Sequence, residues 1–369
     1  MERGRSQHWS NRQVGRGREV ATDSIDPRKG GDMKIYRLGA VLLATVLCFG
    51  AATIRPITAQ QPTIILASGL ASPYVQYPVA VEKGFFSKYG LRAELKVFSG
   101  GFAALQSVGA GAANLSNGSE WSFIGMRAKG ANIIVVGRNI VNTSDLGVGA
   151  VKGIEGPKDL VGRRCATILG SAGDWYEHRY ENVYHLKPDD IKIINLAEPE
   201  WIPAMIRGDI DCFFGWEPWL TKLPTLVSGA HVIHRNGQDK VYVLQNLVGF
   251  SSAWVKSDPA SATKALRALG DTMQWVQNNR HEAAGIAAKA FQMEPAQLEQ
   301  LMACCTYTLD FPQQVTDALA DMAQWAASRK RLGQMTPDQL VSALQYPKLL
   351  MTVAPSRCTA AVCKGSVHQ

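Results

Sequence analysis

Three short runs place glycine beside serine or asparagine where an apolar stretch gives way to a helical pattern. They are Ser99-Gly100-Gly101, Asn117-Gly118-Ser119 and Gly170-Ser171-Ala172-Gly173. The chemistry such runs offer is capture of a small anion. The first turn of a helix leaves backbone N–H donors unpaired, and the helix dipole adds partial positive charge there. Glycine lets a guest come close to the backbone, and a serine hydroxyl can cap the helix or hydrogen-bond the guest. The bland alternative is that these residues only cap helices. Three such runs at equivalent strand ends, spread over two parts of the chain, bring a shared guest (a sulfonate, a carboxylate or nitrate) level with that alternative.

A second constellation is aromatic and acidic: Trp121, Trp175, Trp201, Trp216, Glu217 and Trp219. Glu217 could receive a ligand ammonium, and Trp216 could supply an apolar or cation–π wall. Against this stands ordinary core packing for the tryptophans and a solvated turn for Glu217. Catalysis finds little support. There is no G-x-S-x-G, H-E-x-x-H or P-loop pattern. The histidines lack metal-ligand spacing, and Cys212 has no neighbouring base. No catalytic residue, metal or cofactor is expected.

These residues need a scaffold. After Pro62 short strands alternate with longer amphipathic helices, which predicts α/β architecture with mainly parallel strands. Strands are expected at 63–67, 91–98, 113–116 and 133–137 in a first unit. Others are expected at 164–169, 190–196, 210–214 and 231–234 in a second unit beginning near Gly147. Residues 245–255 cross back, and helices follow at 259–278, 281–291, 295–305, 315–330 and 337–344. Asp258-Pro259, Glu294-Pro295 and Thr336-Pro337 are their start signals. The expected division is one lobe from 62–146 plus 248–350, a second from 147–247, and a flexible tail at 351–369.

The chain has 369 residues, enough for two such lobes, and a formal charge of +8. Residues 1–59 hold ten Lys or Arg and five Asp or Glu, which leaves 29 and 26 for the rest. A near-balanced body argues against nucleic acid as partner. Residues 33–59 read as a signal peptide: Lys34 and Arg37, then an apolar run over 38–52, then small residues. The run is too short for a comfortable membrane span. Residues 1–32 read as a disordered extension or as sequence upstream of a true start at Met33. Cys165, Cys212, Cys304, Cys305, Cys358 and Cys363 show no metal spacing and no regular disulfide framework. Cys304 and Cys305 fall on a predicted helix, poorly placed to pair. Cys358 and Cys363 could bridge in an oxidising compartment.

Two segments carry a family resemblance. Residues 73–101, PYVQYPVAVEKGFFSKYGLRAELKVFSGG, contain the "EKGFF" helix end and the "GL" turn. Residues 198–219, EPEWIPAMIRGDIDCFFGWEPW, contain Pro199, Gly208-Asp209-Ile210-Asp211 and the turn Trp216-Glu217-Pro218. In these the chain resembles the periplasmic solute-binding proteins of nitrate/taurine/sulfonate-type ABC importers, of the thiamine-pyrimidine-synthase-like superfamily. The resemblance covers about residues 62–345. It implies a two-lobed, type II-like periplasmic-binding-protein fold, each lobe a sheet flanked by helices, with a ligand cleft between. It also implies a periplasmic monomer that closes on a small organic anion and docks on an ABC permease and its ATPase. Tyr74 and Gln76 join the candidate ligand contacts because the family's first loop borders the ligand. Two other readings stay open: a periplasmic sensor, and a binder of thiamine-pyrimidine precursors. An enzyme on this scaffold is disfavoured, because Cys212-Phe213-Phe214 does not reproduce the cysteine-rich run of the thiamine-pyrimidine synthases.

Overall fold

The computed structural model describes residues 61–365. The expected leader and N-terminal extension lie outside them. The first strands and helices are β1 (Thr63–Ser68), α1 (Gln76–Glu82), β2 (Arg92–Val97), α2 (Gly101–Gly109), β3 (Leu115–Ser119), α3 (Glu120–Ala128) and β4 (Ile133–Asn142). The chain then builds a second half: β5 (Leu146–Ala150), β6 (Arg164–Thr167), α4 (Ala172–Val183), β7 (Lys192–Asn195), α5 (Glu198–Arg207), β8 (Cys212–Trp216), α6 (Trp219–Leu226) and β9 (His231–Arg235). It returns through β10 (Leu244–Ser251). There follow α7 (Ser252–Ser257), α8 (Pro259–Asn278), α9 (Arg280–Phe291), α10 (Pro295–Met302), β11 (Cys305–Asp310), α11 (Gln313–Ser328), α12 (Pro337–Leu344), α13 (Lys348–Val353) and α14 (Ala361–Gly365).

Two mixed sheets result. One runs β11-β4-β10-β3-β1-β2 and the other β7-β6-β8-β5-β9. The expectation of mainly parallel strands needs correction. Pairs β1/β2, β1/β3, β6/β7 and β6/β8 are parallel, but β10 runs antiparallel to both β3 and β4, and β5 antiparallel to both β8 and β9. The cause is the double crossing. Between β4 and β5, and again between β9 and β10, the chain leaves one sheet for the other without an intervening α-helix, so each arriving strand opposes its neighbours. β10 is buried at every position, as a strand covered on both faces must be.

Three helices start where their Asp-Pro, Glu-Pro and Thr-Pro signals sit, at Pro259, Pro295 and Pro337. The Asp258 side chain accepts from the Ser261 N–H, and Thr336 with Gln339 forms a capping box. Two expectations fail nearby. The helix expected over 295–305 stops at Met302, and Cys305 opens β11 against β4. Residues 351–365, expected as a flexible tail, carry structure of their own. Cys358 bridges to Cys363, Phe311 pairs with Cys358, and Ala360 and Cys363 are buried. A second disulfide, Cys165–Cys212, joins directly opposed residues of β6 and β8. No helix among the described residues is long and apolar enough to cross a membrane.

Candidate functional site

The strand-to-helix corners with Gly and Ser all point into one cavity. α2 has Gly100 at its N-cap, α3 has Ser119 and α4 has Ser171. The first two belong to the half built on the first sheet and the third to the other half. The cavity they border holds about 590 Å³, counted with its open mouth. Ser99, Gly100, Gly101, Gly118, Ser119 and Ser171 all line it. Its apolar wall includes Phe102, Leu146 and Trp219. Among its lining residues there is no Lys or Arg.

Donors for a guest are backbone amides. In α2 the first N–H to find a backbone acceptor is that of Ala104, on the Gly100 carbonyl. The N–H groups of the preceding turn therefore lie ahead of the intrahelical ladder. The serines are partly engaged already. Ser119 Oγ accepts from the Ser122 N–H (3.2 Å), and Ser171 Oγ from the Gly173 N–H (3.2 Å). Both the capping reading and the lining reading hold for the same hydroxyls. Glycine is required here for space. A Cβ on Gly101 would overlap the Tyr74 hydroxyl, and one on Gly100 would overlap the Glu198 carboxylate.

The remaining predicted residues divide. Tyr74 and Trp216 line the cavity, and Tyr74 Oη donates to the Asn117 carbonyl at 3.1 Å. Burial pushes the Tyr74 phenol far up, with Asp145 and then Glu198 adding to it. Gln76 and Asn117 are not at the cavity wall. They hold each other beneath it, Gln76 Nε2 donating to Asn117 Oδ1 (2.9 Å) and Asn117 Nδ2 to the Pro73 carbonyl (3.2 Å). Gly170 spends its N–H on Asp174 Oδ2 (2.9 Å). Trp175 is packed between the halves, against Trp121 and Trp325. Glu217 lines the cavity, but its carboxylate is committed: Oε1 accepts from Arg235 (2.6 Å) and Oε2 from the Thr221 N–H (2.9 Å). Its charge is met by Arg235, where the expectation has it free to receive a ligand ammonium.

Three polar groups at or beside the cavity are not among the residues the sequence pointed to. Asn246 lines the wall with Oδ1 buried and unpartnered. Asp145, on the first crossing, lines it too and accepts from Ser72 Oγ at 3.2 Å. Burial, then the nearby Glu217 charge, raises the Asp145 carboxyl to about 7. Glu198 opens α5 in the second half and is 4% exposed, with Oε1 unpartnered. Burial raises its pKa. No local pattern announces such groups, because their surroundings come from distant segments.

Comparison with known proteins follows this geometry. The family described as NMT1/THI5 like matches residues 74–283, more than half of the chain, and the chain belongs to that family. A relative from Brucella abortus (strain 2308), whose name proposes only a binding role, is 24% identical over 231 residues, which span 60% of this chain and 69% of that protein. A Bacillus subtilis (strain 168) relative, whose name proposes binding of aliphatic sulfonates, is 22% identical over 61% of this chain and 69% of its own length. Among solved structures, the alkanesulfonate-binding protein SsuA from Xanthomonas axonopodis pv. citri, bound to MOPS, superposes with a TM-score of 0.65 at 17% identity. The match covers 78% of this chain and 99% of that one. The periplasmic nitrate-binding protein NrtA from Synechocystis PCC 6803 gives 0.63 at 16% identity, covering 80% and 88%. The fold is therefore the periplasmic-binding-protein fold. It also houses an enzyme, since the desulfurization enzyme DSZB superposes with a TM-score of 0.57 at 17% identity over 80% of this chain and 99% of that one. Fold alone does not separate binding from turnover.

Proposed function

We propose that this chain is the substrate-binding component of an ABC importer and that it captures a small organic anion, an alkyl sulfonate or a taurine-like amino-sulfonate. The observation that carries the reading is the convergence of α2, α3 and α4 amino termini, from both halves, on one cavity. Partial positive charge from three dipoles suits an anion and involves no basic side chain. The apolar wall suits a short alkyl chain. Asn246 Oδ1, buried and unpartnered at the wall, suits a donor on the guest such as an ammonium or hydroxyl. The relatives' names point the same way. Because the contacts come from both halves, the ligand stabilises the closed arrangement, which a permease and its ATPase then receive outside the cytoplasmic membrane.

The test is a thermal-shift screen of the purified protein at constant ionic strength with taurine, short alkanesulfonates, nitrate and bicarbonate. A ligand at a hundredfold excess over its Kd adds about 2.7 kcal/mol of stability, enough to raise the melting temperature measurably. Trp216→Ala should weaken the response to a sulfonate, measured as the shift from the variant's own ligand-free melting temperature, which falls because the ring packs edge-on against Trp201. A protein that ignores every anion and responds to pyrimidine precursors or to simple amines refutes the reading.

A further inference from the structure

The described chain contains two free cysteines, Cys304 and Cys305, and they are neighbours. Their sulfurs lie 2.8 Å apart. Ser72 Oγ stands over both, 3.7 Å from Cys304 Sγ and 3.8 Å from Cys305 Sγ, and is itself 3.2 Å from Asp145 Oδ1. Cys305 is 2% exposed at the start of β11. Cys304 is half-buried and lines a second cavity of about 560 Å³, counted with its open mouth, on the other side of Asp145 and Glu217 from the proposed ligand site. The pair rests on the first crossing between the halves: the Thr143 N–H donates to the Cys304 carbonyl at 3.2 Å, and Cys305 faces Asn142 in the β4/β11 ladder.

Two sulfurs this close, beside open space, form a chelating pair. Closing them into a disulfide is unfavourable. Adjacent Cα atoms sit about 3.8 Å apart across a trans peptide, below the roughly 4.4–6.8 Å span of an unstrained bridge. An atom inserted between the sulfurs removes that conflict, because each sulfur then bonds the inserted centre instead of its neighbour. The centre must be soft, since thiolate sulfur is a soft ligand. It must be pyramidal with a short bite, since adjacent residues carry both sulfurs, and its third ligand comes from outside the pair. The geometry points to a dithiol site for trivalent arsenic, with Cys304 and Cys305 as sulfur ligands and Ser72 the nearest oxygen. Binding is a condensation. Two S–As bonds form and two As–O bonds break. Each departing hydroxide takes one thiol proton and leaves as water. Arsenic stays trivalent, so no oxidant or reductant is consumed. The proposal does not rest on the anion assignment, although Asp145 and Glu217 border both cavities.

The experiment uses the full chain, reduced with a phosphine that is then removed, and phenylarsine oxide as probe. Native mass spectrometry should show one phenylarsenic adduct per chain. Titratable thiols should fall by two. A dithiol should reverse the adduct and a monothiol should not. Cys304→Ser and Cys305→Ser should each abolish it. Cys358→Ser should retain it, which excludes chelation by an opened Cys358–Cys363 pair. Cys305→Ala serves as a second variant if the buried serine disturbs folding. The proposal is overturned if the reduced protein forms no adduct, if the adduct survives in both single variants, or if the pair is isolated as a disulfide that the phosphine does not open.

Discussion

Asp145 shows what a single residue on a crossing segment must reconcile. Its carboxylate accepts from Ser72 Oγ, its N–H donates to Asn142 Oδ1, and its carbonyl accepts from the Glu217 N–H. Its carboxyl is buried near a second carboxylate, and its pKa rises from an ordinary 3.8 to about 7. The sign follows from proton linkage. The folded state holds the proton more tightly, so the stabilising contribution is complete below about pH 4 and is lost as pH rises through about 7. A shift of that size corresponds to on the order of 4 kcal/mol. Glu120, also raised to about 7 by burial, adds a second contribution over the same window. Asp145→Asn keeps an acceptor for Ser72 and removes the charge. It should therefore be more stable than the parent at pH 8, and the advantage should vanish near pH 4. Urea unfolding at a series of pH values measures this, and a difference between the two proteins that does not change with pH would contradict it.

At the scale of elements, the sequence told most where the physics is local. Gly-Ser corners and Pro-initiated helices announce themselves because a cap or a fixed φ acts within a few residues. That is why Ser119, Ser171 and Pro259 stand where the pattern put them. β11 escapes the sequence because it follows α10 after only two residues: the helical pattern runs on to Cys305, and the five residues 306–310 carry no assignment of their own. Its pairing with β4 is a long-range fact. The Cys165–Cys212 bond was illegible for the same reason, since nothing in a separation of 47 residues marks the two as opposed on neighbouring strands. That bond closes β6, α4, β7 and α5 into one loop. In the chain-entropy account a loop of this length is worth about 4 kcal/mol. A Cys165→Ala, Cys212→Ala double variant should lose stability of that order, with the loss confined to the second half. Hydrogen exchange would show it as faster exchange in β6 and β8 than in β1 and β3. Uniform acceleration across both sheets would mean that the halves unfold as one unit.

At the scale of the molecule, the two halves touch directly beside the cavity. Trp121 Nε1 donates to Asp174 Oδ2 at 2.7 Å, and Trp325 packs edge-on against both Trp121 and Trp175. On the cavity's other flank the Glu198 carboxylate lies in the space that a Gly100 side chain would fill. In the hinge motion proposed above, opening would separate these contacts and closing would reform them. Gly100 therefore reports on closure more sharply than on folding. Its φ of −158° is open to any residue, so alanine adds no backbone strain, and the added methyl meets only the carboxylate from the opposite half. Gly100→Ala should hold the halves apart, raising the radius of gyration measured by small-angle scattering in solution, at a cost of about 1–3 kcal/mol to the closed state. Adding Glu198→Ala removes the colliding group and should restore the compact value. Non-additivity of this kind is the signature of two residues in contact. If Gly100→Ala leaves the radius unchanged, or if the second substitution fails to reverse its effect, the Gly100–Glu198 contact is not what limits the approach of the two halves.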